Sequence, residues 1–138
     1  MKNHGFALPT AIFLLVILAA LGGFILTVSN LQHRGLALDV LSGRAMQAAR
    51  AGIEYGVHQT LVMGSCPPAA WTFSPGGGLA AFTVTVTCLD ATANEAGTSR
   101  RIFNLVATAC NQPSAGSCPN AAPGESYAER QIQATVGG

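Results

Sequence analysis

The chain has 138 residues, 49% of them apolar and only 9% charged, with a formal net charge of +1. One domain is what that length accommodates, and a charge share far below the roughly 25% of soluble proteins points to a chain shielded by lipid or by other proteins. The seven Lys and Arg residues are scattered, which excludes the clustered cations that phosphate binding needs and leaves nucleic acid out of the expected partners.

In chain order the first element is apolar. Phe6 to Leu31 contains no charged residue, and about 26 such positions span a bilayer as a tilted helix. The preceding Met1-Lys2-Asn3-His4-Gly5 is too short for the basic region of an ordinary secretory signal. The apolar run is too long for its core, and no A-x-A site follows it. Pro9 falls in the first turn, where a missing N–H costs nothing. Gly22-Gly23 falls mid-span, the expected place for a bend, for local melting or for close packing of helices.

From Gln32 to Met63 the pattern turns amphipathic. Leu38, Leu41, Ala45, Ala48, Gly52 and Gly56 recur at three- and four-residue steps and form one face of mostly small residues, which lets another backbone approach closely. Ile53, Val57 and Leu61 widen it. Arg50 and Glu54, four apart, are an expected ion pair. Gly64 and Pro67-Pro68 stop the helix, and Phe6 to Met63 as one helix would measure about 87 Å.

The remainder reads as sheet. Ala81 to Cys88 alternates, with Phe82, Val84, Val86 and Cys88 on one face and threonines on the other. Arg101 to Cys110 is a second strand with Phe103, Leu105 and Ala107 on one face. Asp90 to Arg100 is the expected hairpin loop between them. Cys110 to Gly124 is loop. Ser126 to Val136 is a third strand, with Arg130, Ile132, Ala134 and Val136 on one side. Trp71-Thr72-Phe73 is a short fourth strand or a cap on the core. The fold class is α+β, a helix packed by its second half on a small antiparallel sheet. The expected organisation is a leader over 1–5, a membrane-spanning half-helix over 6–31, an amphipathic half over 32–63, and sheet with disulfide-containing loops over 64–138.

The four cysteines, Cys66, Cys88, Cys110 and Cys118, all follow the apolar segment. An even number in a loop-rich region reads as disulfides formed in an oxidising compartment, and the close pairs of a zinc site are missing. Of three connectivities the expected one is Cys66–Cys88 with Cys110–Cys118. Cys110 and Cys118 bracket a short loop, and a Cys66–Cys88 bond ties the helix end to a strand. The positive charges disagree with this compartment. Lys2 and the amine precede the apolar segment, whereas Arg34, Arg44 and Arg50 follow it, a count that favours a cytoplasmic C-terminal part. The cysteines carry more weight, because the two charge totals are close.

Catalytic and metal chemistry find little support. His4, His33 and His58 have no ligand spacing, and His58 with Glu54 reads as a surface contact. Asp90, Thr92, Asn94 and Glu95 do not match a calcium loop and read as solvated polarity. Gly76-Gly77-Gly78 lacks the residues of a phosphate loop and reads as a turn. No nucleophile motif appears. The chain is read as non-enzymatic, with no metal and no cofactor.

A short basic leader ending in Gly5, then Phe6, then an unbroken apolar helix resembles a type IV prepilin. Gly5 to Phe13, Ala48 to Gly56 and Glu129 to Ala134 resemble more closely the MshP-type minor pilins, biogenesis proteins of the mannose-sensitive haemagglutinin (MSHA) pilus akin to PilX-type minor pilins. The resemblance implies the type IV pilin fold and cleavage between Gly5 and Phe6 by a prepilin peptidase, with N-methylation of Phe6. It implies partners among major and minor pilins and an inner-membrane assembly platform. Before assembly the protein would be single-pass in the inner membrane with its C-terminal part periplasmic, and afterwards extracellular in the pilus, with a role in priming or capping the filament and in adhesion. Thr10 stands where major pilins of that family carry Glu, the fifth mature position. The missing charge argues against a bulk shaft subunit. The rival expectations are a single-pass membrane protein with a periplasmic sensing or binding domain and an anchored enzyme.

Overall fold

The computed structural model describes residues 7–137. Helix α1 runs Ala7–Val57 and continues as a π-helical turn, His58–Val62. Four strands follow: β1 (Trp71–Phe73), β2 (Thr83–Glu95), β3 (Thr98–Cys110) and β4 (Glu129–Gly137). By internal packing the chain divides into two units, Met1–Ala37 and Leu38–Gly138.

In the first unit, Leu8–Ser29 is a 22-residue stretch long and apolar enough to cross a membrane, by length and composition. Its large side chains lie open, from Leu8 and Ile12 through Phe24 and Leu26. A helix apolar all round needs lipid or protein around it. The helix passes Gly22-Gly23 unbroken, so the glycines do not melt it. The Thr27 hydroxyl donates to the Gly23 carbonyl at 3.0 Å.

In the second unit the helix lies against a sheet of order β1-β2-β3-β4, antiparallel throughout. Ala45, Ala48 and Ala49 meet Phe82, Val84, Val86, Ala107 and Ala109 in the core, while Cys88, Phe103 and Leu105 form a neighbouring cluster with Ile53 and Val57 at its border. Small residues on the helix let it sit close to the valines of β2. A Cβ on Gly52 would stand 2.6 Å from Val84 Cγ1, and one on Gly56 would stand 3.2 Å from Val86 Cγ1. The π turn is closed by Met63 N–H to the His58 carbonyl (3.2 Å) and Ser65 N–H to the Gln59 carbonyl (2.8 Å). Gly64 then reverses the chain at φ +65°, a conformation that glycine adopts without steric cost.

The region expected as a hairpin loop differs. Asp90 to Arg100 is mostly strand, because β2 and β3 stay paired from Thr83↔Cys110 to Glu95↔Thr98. The turn is only Ala96-Gly97, with φ +49° and +84°, the positive values a tight two-residue hairpin needs. The polar composition concealed these strands. They are held by ladder bonds and by charged pairs across the ribbon, Arg101 with Asp90 and Arg100 with Glu95, and they bury no apolar run.

Candidate functional site

Gly5 and Phe6, the expected cleavage and methylation positions, lie outside the described residues, as does His4. Thr10 sits in α1 with an exposed side chain. The remaining expected positions fall into three groups.

The first group is the helix stripe. Ala45, Ala48, Gly52 and Gly56 are buried and Leu41 is half-buried. Leu38, by contrast, is 45% exposed. It lies beyond the core, which begins at Leu41. The backbone that approaches this stripe is the chain's own sheet, as the α+β layout expects. At the Leu41 end, Arg130 of β4 donates from its guanidinium to the Ser42 hydroxyl. Arg50 and Glu54 form no ion pair; both are exposed, as is His58.

The second group is the disulfides. Cys66–Cys88 joins the segment after the π turn to β2, with Cα atoms 5.5 Å apart. Cys110–Cys118 closes the start of the long loop, with Cα atoms 5.8 Å apart. Both spacings suit disulfide geometry. The loop after Cys110 folds over the outer sheet face, where Cys118 N–H donates to Thr85 Oγ1 at 2.8 Å. Thr85 and Thr108 are buried there despite facing away from the helix. Side chains from each end of the loop pin the other. Ala128 N–H donates to Asn111 Oδ1 (2.9 Å), Asn111 Nδ2 to the Ser126 carbonyl (2.8 Å), and Gly124 N–H to Gln112 Oε1 (2.9 Å). Tyr127 donates to the Glu129 carboxylate and accepts from Asn120 N–H at 3.1 Å. Partial burial, then the bond to Glu129, raises the Tyr127 hydroxyl above its ordinary pKa of 10.0. Sequence reading missed this set. The Asn111-Gln112 pair directly after a cysteine was the available signal, since such side chains cap irregular backbone.

The third group is the ribbon tip. Asp90, Thr92, Asn94 and Glu95 lie along β2 and do not gather into a loop. Among the described residues no three metal-ligating side chains converge. The Asp90 carboxylate bonds the Arg101 guanidinium, whose pKa it raises, and that guanidinium stands 5.0 Å from the Phe103 ring centroid. Glu95, Arg100, Arg101, Ile102, Thr135 and Gly137 line an open cleft of about 330 Å³ where β4 stops. Its two arginines are already matched by carboxylates, so it offers no uncompensated charge. Gly77–Leu79 is a single 3₁₀ turn before β2.

The arrangement is thus a disulfide-braced helix-on-sheet domain with an apolar helical segment ahead of it in the chain. Comparison with protein-family models, with curated proteins and with solved structures returned no match.

Proposed function

We propose that this chain is a non-enzymatic minor pilin of a type IV, MSHA-like pilus, held in the inner membrane before assembly and placed at or near the filament tip, where it primes or caps the filament and contributes to adhesion. The observation that carries the reading is the continuity of α1. One helix, Ala7–Val57, begins as an exposed apolar span and ends as the face that closes a small antiparallel sheet. That division of labour suits a subunit stored in a membrane and then transferred into a bundle of apolar helices.

Thr10 supports the tip placement. A mature amine inside an apolar helix bundle needs a nearby opposite charge, and a threonine supplies none. A subunit without that carboxylate is poorly recruited into a growing shaft, but one that starts the filament need not be recruited.

Mass spectrometry of the protein from sheared filaments and from membranes tests this. The expected product begins at N-methylated Phe6 and is present in few copies per filament. An intact leader on all of the protein in pilus-producing cells would refute the pilin reading. Copies spaced along the shaft at the level of the major subunit would refute the tip placement. Thr10→Glu is expected to move the protein into the shaft.

One observation favours a second reading, a single-pass membrane protein with a periplasmic sensing or binding domain. The small-residue stripe is satisfied by the chain's own sheet and needs no neighbouring helix. Retention of the leader is its signature.

A further inference from the structure

The β2–β3 ribbon projects beyond both of its neighbours. β1 covers β2 only over Val84 to Val86, and β4 reaches β3 only as far as Ile102. The Cys66–Cys88 bond keeps the chain near Cys88, which leaves Leu89 to Glu95 as an open strand edge. In a two-residue hairpin the residues flanking the turn, here Glu95 and Thr98, direct their N–H and C=O groups at each other. By alternation, Asn94, Thr92 and Asp90 direct theirs to the open side, where no strand among the described residues meets them.

Protein edges are normally protected by lysine, proline, bulges or charges that resist a second strand. This stretch, Leu-Asp-Ala-Thr-Ala-Asn-Glu, has no lysine or proline, and its pairing with β3 is continuous, without a bulge. Its two carboxylates are held by Arg101 and Arg100 of the adjacent strand, across the ribbon and away from the open side. Each carboxylate that would face a neighbour has an arginine beside it, which weakens the repulsion.

We infer that this edge pairs antiparallel with the same edge of a second copy of the chain, about a two-fold axis at Thr92. A two-fold contact sets identical surfaces against each other and must be self-complementary. The register centred on Thr92 is. Thr92 meets Thr92 of the second copy, Ala91 meets Ala93, Asp90 meets Asn94, and Leu89 meets Glu95. No carboxylate faces a carboxylate, and threonine pairs and small apolar pairs are favourable cross-strand neighbours. A register centred on Asp90 would instead oppose two carboxylates. Leu89, 70% exposed on the outer face, is shielded by the stem of the opposing Glu95. The two sheets join through their β2 strands, with the partner's β2 continuing the edge that β1 occupies at Val84 to Val86. This pairing does not depend on the pilin reading.

The test uses full-length protein in detergent. Directly opposed hydrogen-bonded residues stand about 5.5 Å apart at Cα, within disulfide reach, and the native cysteines are all paired. Under mild oxidation Thr92→Cys is expected to give a covalent homodimer. Ser99→Cys, exposed on the same ribbon but on β3, is expected to give none. Thr92→Pro removes an N–H that the β2–β3 ladder does not use. It should weaken self-association on the order of tenfold by sedimentation, because both centre hydrogen bonds go, while the Cys66–Cys88 bond still forms. Equal cross-linking at positions 92 and 99 would overturn the proposal. So would a wild type that is monomeric at about 100 µM, a concentration at which even weak specific dimers form. Dimers that persist undiminished in Thr92→Pro would assign association to the apolar helix, and a Thr92→Cys adduct to a different protein would assign the edge to another strand; either result overturns the self-pairing.

Discussion

Replacing Gly52 by alanine tests the helix–sheet seam directly. The added methyl would lie 2.6 Å from Val84 Cγ1, 2.9 Å from Ala107 Cβ and 3.2 Å from Val86 Cγ2. These neighbours are β-branched or backbone-proximal side chains on paired strands and have little rotamer freedom to yield. Overpacking of this kind costs about 1–3 kcal/mol, and contacts this short belong in the upper part of that range. Alanine recovers about 1 kcal/mol of helix propensity, so the net loss is about 1–2 kcal/mol. In a domain of about 100 residues this lowers Tm by about 4–16 °C. Gly43 lies on the same helix with nothing near its missing Cβ, so Gly43→Ala should stabilise by about 0.5–1 kcal/mol. The assay is thermal unfolding of the full-length protein in detergent, followed by the fluorescence of its single tryptophan. Trp71 packs on the core and sits 6.0 Å from Tyr55, ring centre to ring centre. If Gly52→Ala matched Gly43→Ala in stability, the close approach of helix and sheet described here would be wrong.

Removing the Cys66–Cys88 bond with paired serines should cost about 2–4 kcal/mol, the usual range for a loop of this size, measured by urea unfolding as a fall in the midpoint with a somewhat steeper slope, because the uncrosslinked chain exposes more surface. The Cys110–Cys118 loop is shorter (8 residues against 22), so its loss should cost less by the same measurement. Tyr127 has a folded pKa above its unfolded one, so the protein binds its proton more tightly when folded. The resulting stability is present below pH 10 and is lost as pH rises through the folded value. Unfolding curves between pH 9 and pH 12 should show a smaller alkaline loss for Tyr127→Phe than for the wild type, and identical losses would remove Tyr127 from the account. If the chain is the minor pilin proposed above, Thr10→Glu should raise its share along the shaft of sheared filaments, read by immunolabelling.

The parts of the fold legible in the sequence were those where one face is apolar. The period of the helix stripe and the alternation from Phe82 to Cys88 follow directly from which side chains must leave water. Strand ends were not legible where that rule falls silent. Beyond Cys88 and before Ile102 the ribbon buries little, and its strands are specified by a two-residue turn at Ala96-Gly97 and by cross-strand ion pairs. Ala96 carries no strong turn preference, and the pairing of Asp90 with Arg101 is visible only once the register is known. That the stripe packs on the sheet was legible from an amphipathic helix followed by alternating strands, whereas the particular side chains that close on Gly52 and Gly56 were not. The pins from Asn111, Gln112 and Tyr127 depend on a loop path that periodicity does not encode.

The strand order has a kinetic consequence. Every strand pairs with its neighbour in sequence, so the sheet assembles by closing successive short or moderate loops, whose entropic cost grows only slowly with length. The β2–β3 hairpin, with the tightest turn and the longest ladder, is the natural first contact, on the microsecond scale of isolated hairpins. β4 must wait for the segment from Asn111 to Ala128 to be arranged. A chain delivered across a membrane from its N-terminal side would expose β1, β2 and β3 in the order in which they pair, and β3 would keep its β4-facing edge unpaired while the loop before β4 settles.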